Sequence, residues 1–226
     1  PRIDSKRLSD VSETSIGSDM FGTDTSSLLD SALGPLFSMP LPAQPYCQTA
    51  LLLVDISGFT RLSTLLDVES LSRVINSYFD ELLREVQMYG GDVLKFAGDA
   101  FFCAWMIPPS DNDEQEERCL GQVCVNAALC GAAIVSKFTS YHISGLPVND
   151  ATLSVHCGLG AGTMSMIHVG DSLERREFLF LGDPVKQVAD AIEIAGLGEL
   201  TASSFVRKCL ENLSGCRCNF DSGANG

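Results

Sequence analysis

Two aspartates stand where apolar chain gives way to Gly-containing loops, a setting in which a carboxylate can hold a hard divalent cation. Asp55 ends the apolar run at residues 50–54 and opens into Ile56-Ser57-Gly58-Phe59-Thr60. Asp99 lies in Ala97-Gly98-Asp99, between the partly alternating residues 92–96 and the apolar residues 100–105. Gly and Asp are what tight turns favour, so the second stretch reads as two strands joined by a turn that presents Asp99. An acid at the tip between two buried strands is unfavourable unless something binds it. For this residue alone, a turn-capping Asp is the alternative. A buried strand ending in Asp and leading through a Ser-Gly loop into a helix offers a cation ligand and a cradle of backbone N–H groups for phosphate. Two such aspartates in one sheet suit a pair of metal ions, as used for in-line displacement at phosphorus.

The elements that must position these residues follow from periodicity. Asp67 reads as the N-cap of a long helix ending near Tyr89. Its apolar face is Leu71, Val74, Ile75, Tyr78, Phe79, Leu82, Leu83 and Val86. Gly90-Gly91 stops that helix. The acidic residues 111–118 open a second helix, whose stripe of small residues predicts close packing on a sheet. Gly145-Leu146-Pro147 is a loop, residues 153–159 a strand, and Gly158, Gly160 and Gly162 mark bends or close backbone approach. Residues 178–181 form another strand. Gly182-Asp183-Pro184 then reads as turn, N-cap and first helical residue of a helix closed by Gly196. The order strand–helix–strand–strand–helix–strand predicts an α+β sandwich, with helices packed on one face of a mainly antiparallel sheet.

The chain has 226 residues and a formal net charge of −14. That balance argues against a nucleic-acid backbone or an anionic membrane as partner. No apolar run is read as reaching the ~18 residues of a membrane span, so no membrane insertion is expected. Nine scattered cysteines suit reduced thiols in a cytoplasmic protein better than a disulfide framework. Residues 1–45 read as a disordered or loosely attached Ser/Pro-rich leader, 46–212 as the folded domain and 213–226 as a tail or linker. Cys216-x-Cys218 lacks a second pair to complete a metal site.

VDISGFT (residues 54–60) and GGDVLKFAGDAFF (residues 90–102) resemble the two metal-binding motifs of class III nucleotidyl cyclase catalytic domains. The LKFAGDA wording is similar to the first of the two catalytic domains of soluble, bicarbonate-responsive adenylyl cyclases. LGAG (residues 159–162) and FLFLGDPV (residues 178–185) extend the resemblance over residues 50–205. It implies a ferredoxin-like, palm-type βαββαβ fold and conversion of ATP to 3′,5′-cyclic AMP and pyrophosphate. It also implies two Mg²⁺ or Mn²⁺ ions on Asp55, Asp99 and the Ile56 carbonyl, activating the ribose 3′-hydroxyl and steadying the triphosphate. The backbone of Ser57, Gly58, Phe59 and Thr60 is implied to hold phosphate, although Ser57 and Thr60 also read as ordinary turn and helix-cap residues.

Departures from the family pattern narrow the expectation. Family sites lie between two cyclase domains, the second supplying an adenine-reading Lys and a transition-state Asn and Arg. Those positions here are Val93, Lys186 and Asp190, and an Asp opposes a reaction that develops negative charge. The chain is therefore expected to be the metal-bearing half of a pseudo-heterodimer, inactive alone and completed by a second cyclase domain. The family's basic triphosphate residue is His156, which alternatively reads as a core histidine. Of the two bicarbonate-flanking positions, Lys95 matches and the other is Ala189, leaving the anion without an Arg. Lys95 as the partner of a metal-site carboxylate is the plainer reading. Two alternatives stand beside the cyclase half: a cyclase-like module that binds nucleotide or a partner domain without catalysis, and a palm enzyme of the GGDEF type. The second lacks the Glu after Asp99.

Overall fold

The computed structural model describes residues 46–108, 110–143, 152–170 and 176–213. The predicted leader, the loop at 145–147, the tail from 214 onward and Cys216-x-Cys218 lie outside the described residues. Among the described residues, seven strands and five helices follow in chain order. They are β1 (Cys47–Ser57), α1 (Phe59–Leu65), α2 (Val68–Met88), β2 (Asp92–Ala97), β3 (Ala100–Ile107) and α3 (Asp113–Phe138). After these come β4 (Tyr141–His142), β5 (Thr152–Gly170), β6 (Arg176–Gly182), α4 (Asp183–Ile194), β7 (Leu200–Ala202) and α5 (Ser204–Asn212).

The sheet runs β2-β3-β1-β5-β4, with β6 and β7 also pairing β5. Every pairing is antiparallel except β5 with β7. This is the expected α+β architecture with a mainly antiparallel sheet. β1 is central and apolar on both sides, as a continuous Leu/Val run requires. Leu52, Val54 and Ile56 face one core, with Tyr78, Leu82 and Val86 of α2, Cys124, Ala127 and Ile134 of α3, and Val206 and Leu210 of α5. Leu51 and Leu53 point the other way, into a smaller core with Met164, Met166 and Val188. Full burial of each such leucine contributes roughly 1.5–3 kcal/mol.

The expectation of helices on one face holds for α2, α3 and α5, whereas α4 packs on the opposite face through Val188. Small residues make that packing possible. A β-carbon on Gly158 would stand 2.7 Å from the Val188 carbonyl oxygen, and one on Gly160 would stand 2.7 Å from that of Pro184. The glycines therefore mark close approach rather than a strand end, and β5 continues to Gly170. Its exposed edge is satisfied in sections. β7 pairs residues 157–159, β6 pairs residues 164–170, and Gln187 fills the gap. Gln187 Nε2 donates to the Ala161 carbonyl at 2.9 Å, and the Ala161 N–H donates to Gln187 Oε1 at 3.1 Å.

Asp67 caps α2 as expected, its carboxylate accepting from the Ser70 N–H at 2.9 Å. The expected Asp183 cap of α4 is displaced by one residue. Gly182 is the N-cap, makes no side-chain hydrogen bond, and carries φ 140. Its carbonyl-crowded site, with the Thr163 oxygen 2.3 Å from a would-be β-carbon, admits only Gly. A second correction concerns membrane spans. Among the described residues α3 alone is long and apolar enough to cross a bilayer. Its Leu120, Cys124, Ala127, Cys130, Ile134 and Phe138 are instead buried in the first core.

Candidate active site

Asp55 sits near the end of β1, flanked in register by Ala100 of β3 and His156 of β5. Ala100 directly follows Asp99, so the β1–β3 pairing brings the two aspartates to the same end of the sheet. The turn between β2 and β3 is two residues long, and its first residue, Gly98, has φ 69. That left-handed conformation is what a two-residue hairpin demands and what Gly supplies. Asp55 and Asp99 are both half-buried. By strand alternation Asp55 shares the face of Leu51 and Leu53, the side that carries α4. Asp55, Asp99 and the Ile56 carbonyl all offer oxygen donors, a chemistry that suits Mg²⁺ or Mn²⁺ rather than a softer metal. Among the described residues no cluster of three or more His, Cys, Asp and Glu side chains is placed to hold a metal ion.

The loop after Asp55 is built by Gly58. It caps α1 in the left-handed region, φ 99, and makes no side-chain cap bond. A β-carbon there would stand 2.6 Å from the Thr152 carbonyl oxygen. Neither Ser57 nor Thr60 serves as the cap: Ser57 is the last residue of β1, paired with Ser154, and Thr60 lies within α1. No acidic residue occupies the first turn of α1. The backbone of Ser57, Gly58, Phe59 and Thr60 therefore leads directly from the aspartate into a helix start free of negative charge.

His156 lies beside Asp55, Nε2 3.3 Å from Oδ2, with 15% of its side chain exposed against 34% for Asp55. Its Nδ1 is buried without a hydrogen-bond partner. Sequence reasoning placed this residue beside phosphate or in the core; its pairing with Asp55 depends on the β1–β5 register, which no local pattern carries. Lys95 is likewise located by tertiary structure. A bulge between Val93 and Lys95 sets Leu94 and Lys95 toward the same face, where Leu94 packs in the second core. Lys95 Nζ lies 3.9 Å from Glu177 Oε2 on β6. Its ion-pair partner is therefore Glu177 and not a metal-site carboxylate, as the plainer reading had it. Lys186 and Asp190 project from the exposed side of α4, and Ala189 between them is exposed too.

Comparison with known proteins follows the same lines. The family model described as "Adenylate and Guanylate cyclase catalytic domain" matches residues 41–223. Adenylate cyclase type 10 of Oryctolagus cuniculus is 32% identical over 176 residues, which is 74% of this chain and 10% of that protein. The Homo sapiens protein of the same name is 30% identical over 176 residues. The chain thus spans about a tenth of the length of these curated relatives. The fold is that of the guanylate cyclase domain of RhGC from Catenaria anguillulae, solved in complex with GTP. The TM-score is 0.59 at 15% identity, covering 74% of this chain and 85% of that one. The adenylyl cyclase CyaB from P. aeruginosa superposes with a TM-score of 0.53 at 18% identity, covering 75% and 83%.

Proposed function

The chain belongs to the adenylate and guanylate cyclase catalytic-domain family, and from that premise we propose that it is the metal-bearing half of an adenylyl cyclase. The reaction is conversion of ATP to 3′,5′-cyclic AMP and pyrophosphate. The observation that carries this reading is the register of Asp55 against Ala100, which gathers Asp55 and Asp99 at one sheet end. Asp55, Asp99 and the Ile56 carbonyl would hold two Mg²⁺ or Mn²⁺ ions, which when bound acidify the ribose 3′-hydroxyl and offset triphosphate charge. The backbone of Ser57, Gly58, Phe59 and Thr60 orients the phosphates, since an uncapped helix start presents N–H groups to anions. The name adenylate cyclase type 10, carried by the relatives, supports ATP as the substrate of this chain.

A complementary cyclase domain completes the site, in the same polypeptide or another chain. Lys186, Asp190 and Val93 support that requirement, because they occupy positions where the resemblance calls for Asn, Arg and Lys. Bicarbonate at Lys95 receives less support, because the cation already faces Glu177. The seven cysteines among the described residues are all free, which favours a reducing, cytoplasmic setting.

The deciding experiment measures cyclic nucleotide formed from Mn²⁺-ATP and Mn²⁺-GTP, by the chain alone and mixed with a second cyclase domain. Cyclic AMP from the mixture only, abolished by Asp99→Ala, is the expected result. Product from the chain alone would overturn the half-site reading. Nucleotide binding without product in either sample would favour the second reading, a module that binds nucleotide or a partner without catalysis.

A further inference from the structure

We propose that Cys209 and Cys124 form a peroxide-responsive pair, in which Cys209 is oxidised first and Cys124 then closes a reversible disulfide between α5 and α3. The pair lies apart from the two aspartates. Cys209 lines a cavity of about 480 Å³ together with Gln48. Gln48 is at the start of β1, whereas Asp55 is near its end.

Helix packing brings the two cysteines together. A β-carbon on Gly121 of α3 would stand 3.0 Å from the side chain of Leu213, the residue after α5. Cys124 is about one turn beyond Gly121, and Cys209 is about one turn before Leu213. The next contact along this antiparallel pair is therefore Cys124 against Cys209, whose thiols share a hydrogen bond. A disulfide needs Cα atoms about 4.4–6.8 Å apart, a separation that closely packed elements meet.

The two thiols differ in access. Cys124 is fully buried in the first core, whereas Cys209 is half-buried and opens on the cavity. Their hydrogen bond holds the Cys209 thiol below its ordinary range and, with burial, pushes that of Cys124 up. An accessible thiolate beside a resolving thiol suits redox sensing. Asp113, Glu116 and Glu117 line the same cavity. Their charge disfavours anionic oxidants such as glutathione disulfide and leaves neutral hydrogen peroxide unaffected.

The Cys209 thiolate attacks one peroxide oxygen and the O–O bond breaks. Hydroxide leaves, takes up the proton that the thiol released and becomes water, with Cys209 now a sulfenic acid. The Cys124 sulfur then attacks the Cys209 sulfur, and the displaced hydroxyl leaves as water with the Cys124 proton. Two thiols and one peroxide thus give one disulfide and two waters, the two electrons passing to oxygen. In a reducing setting such a bond is transient, and small thiols reopen it by exchange.

The test treats the full, folded chain with one equivalent of hydrogen peroxide, blocks the remaining thiols in denaturant and maps peptides by mass spectrometry without reductant. The expected result is a peptide joining Cys124 to Cys209 that disappears after dithiothreitol. In Cys124→Ala, Cys209 is expected to persist as a sulfenic acid that dimedone traps. Peroxide that joins Cys209 to Cys216 or Cys218, that leaves both thiols free, or that drives Cys209 to a sulfinic acid with Cys124 still free would overturn the proposal. These outcomes are read on the wild type, so they stand whether or not the variant folds. Glutathione disulfide is expected to leave both thiols free, and a mixed disulfide on Cys209 would overturn the choice of oxidant.

Discussion

Lys186 and Asp190 pair with each other along the exposed side of α4, Nζ donating to Oδ2 at 2.7 Å. The pair occupies the two positions where transition-state Asn and Arg are expected from the family resemblance. Both side chains are mostly exposed, at 80% and 64%, so the pair contributes little to folding and its consequences are for chemistry. The double substitution Lys186→Asn with Asp190→Arg is expected to leave the urea midpoint unchanged. It is expected to give the chain alone measurable cyclic AMP formation where the wild-type chain alone has none, because one oxyanion-stabilising donor is typically worth about 10²–10³ in rate. A folded variant with no gain would show that α4 does not face the reacting phosphate.

Gly160 and Gly131 separate two kinds of close approach. A β-carbon on Gly160 meets the Pro184 backbone oxygen at 2.7 Å, whereas one on Gly131 meets the Leu200 Cδ1 methyl at 2.9 Å. A backbone carbonyl at the start of α4 cannot swing away, and a leucine tip can. Gly160→Ala should therefore lower stability by about 1–3 kcal/mol, the range for overpacking, and Gly131→Ala by less. Chemical denaturation of the two variants ranks them.

Asp67 gives the domain a testable acid limit. Its carboxyl is held below the ordinary aspartate value of 3.8 chiefly by the Ser70 backbone N–H, with the Ser70 hydroxyl adding to it. A depressed carboxylate stabilises the fold fully above its unfolded-state pKa, and that contribution is lost as pH falls through the folded-state value. The difference in unfolding midpoint between wild type and Asp67→Ala should be largest near neutrality and shrink as pH drops below 3.8. Asp67→Asn, which caps without titrating, should show a weaker pH dependence.

The thiols differ in reactivity in a way that alkylation can read. A hydrogen bond from Cys124 on α3 holds the Cys209 thiol on α5 below its ordinary range, and Cys209 lines a surface cavity of about 480 Å³. Burial pushes Cys103 and Cys157 up, and Cys130 up to about 12. Only the thiolate reacts. Iodoacetamide near neutral pH should label Cys209 ahead of Cys103, Cys124, Cys130 and Cys157, as peptide mass spectrometry would show. Early labelling of Cys157 would contradict the burial of β5.

Local pattern was enough to place the elements whose cause is local. The N-cap of α2 at Asp67 and its end near Tyr89 were both legible, because a side-chain cap and a 3.6-residue stripe lie within the helix itself. The apolar run into Asp55 and the Gly98 turn carrying Asp99 were legible for the same reason. What that reading missed depends on partners distant in the chain. β5 was expected to stop at 159 and continues to Gly170, because its glycines answer to α4, met only after residue 182. β4 and β7 carry too few residues for a period to declare them, and long-range pairing with β5 creates them.

The candidate site divides along the same line. Residue type and order named Asp55 and Asp99, since a carboxylate after an apolar run and another in a Gly turn are features of a few adjacent residues. Their placement at one end of the sheet required β1 to pair β3 with Asp55 opposite Ala100. The neighbours of the site were decided wholly by the fold: His156 against Asp55 through the β1–β5 register, and Lys95 against Glu177 across a bulge. A one-residue slip in either pairing would turn these side chains to the other face of the sheet. Strand register is set by the burial of both sheet faces together, and that is a property of the assembled core, which no short stretch of the chain contains.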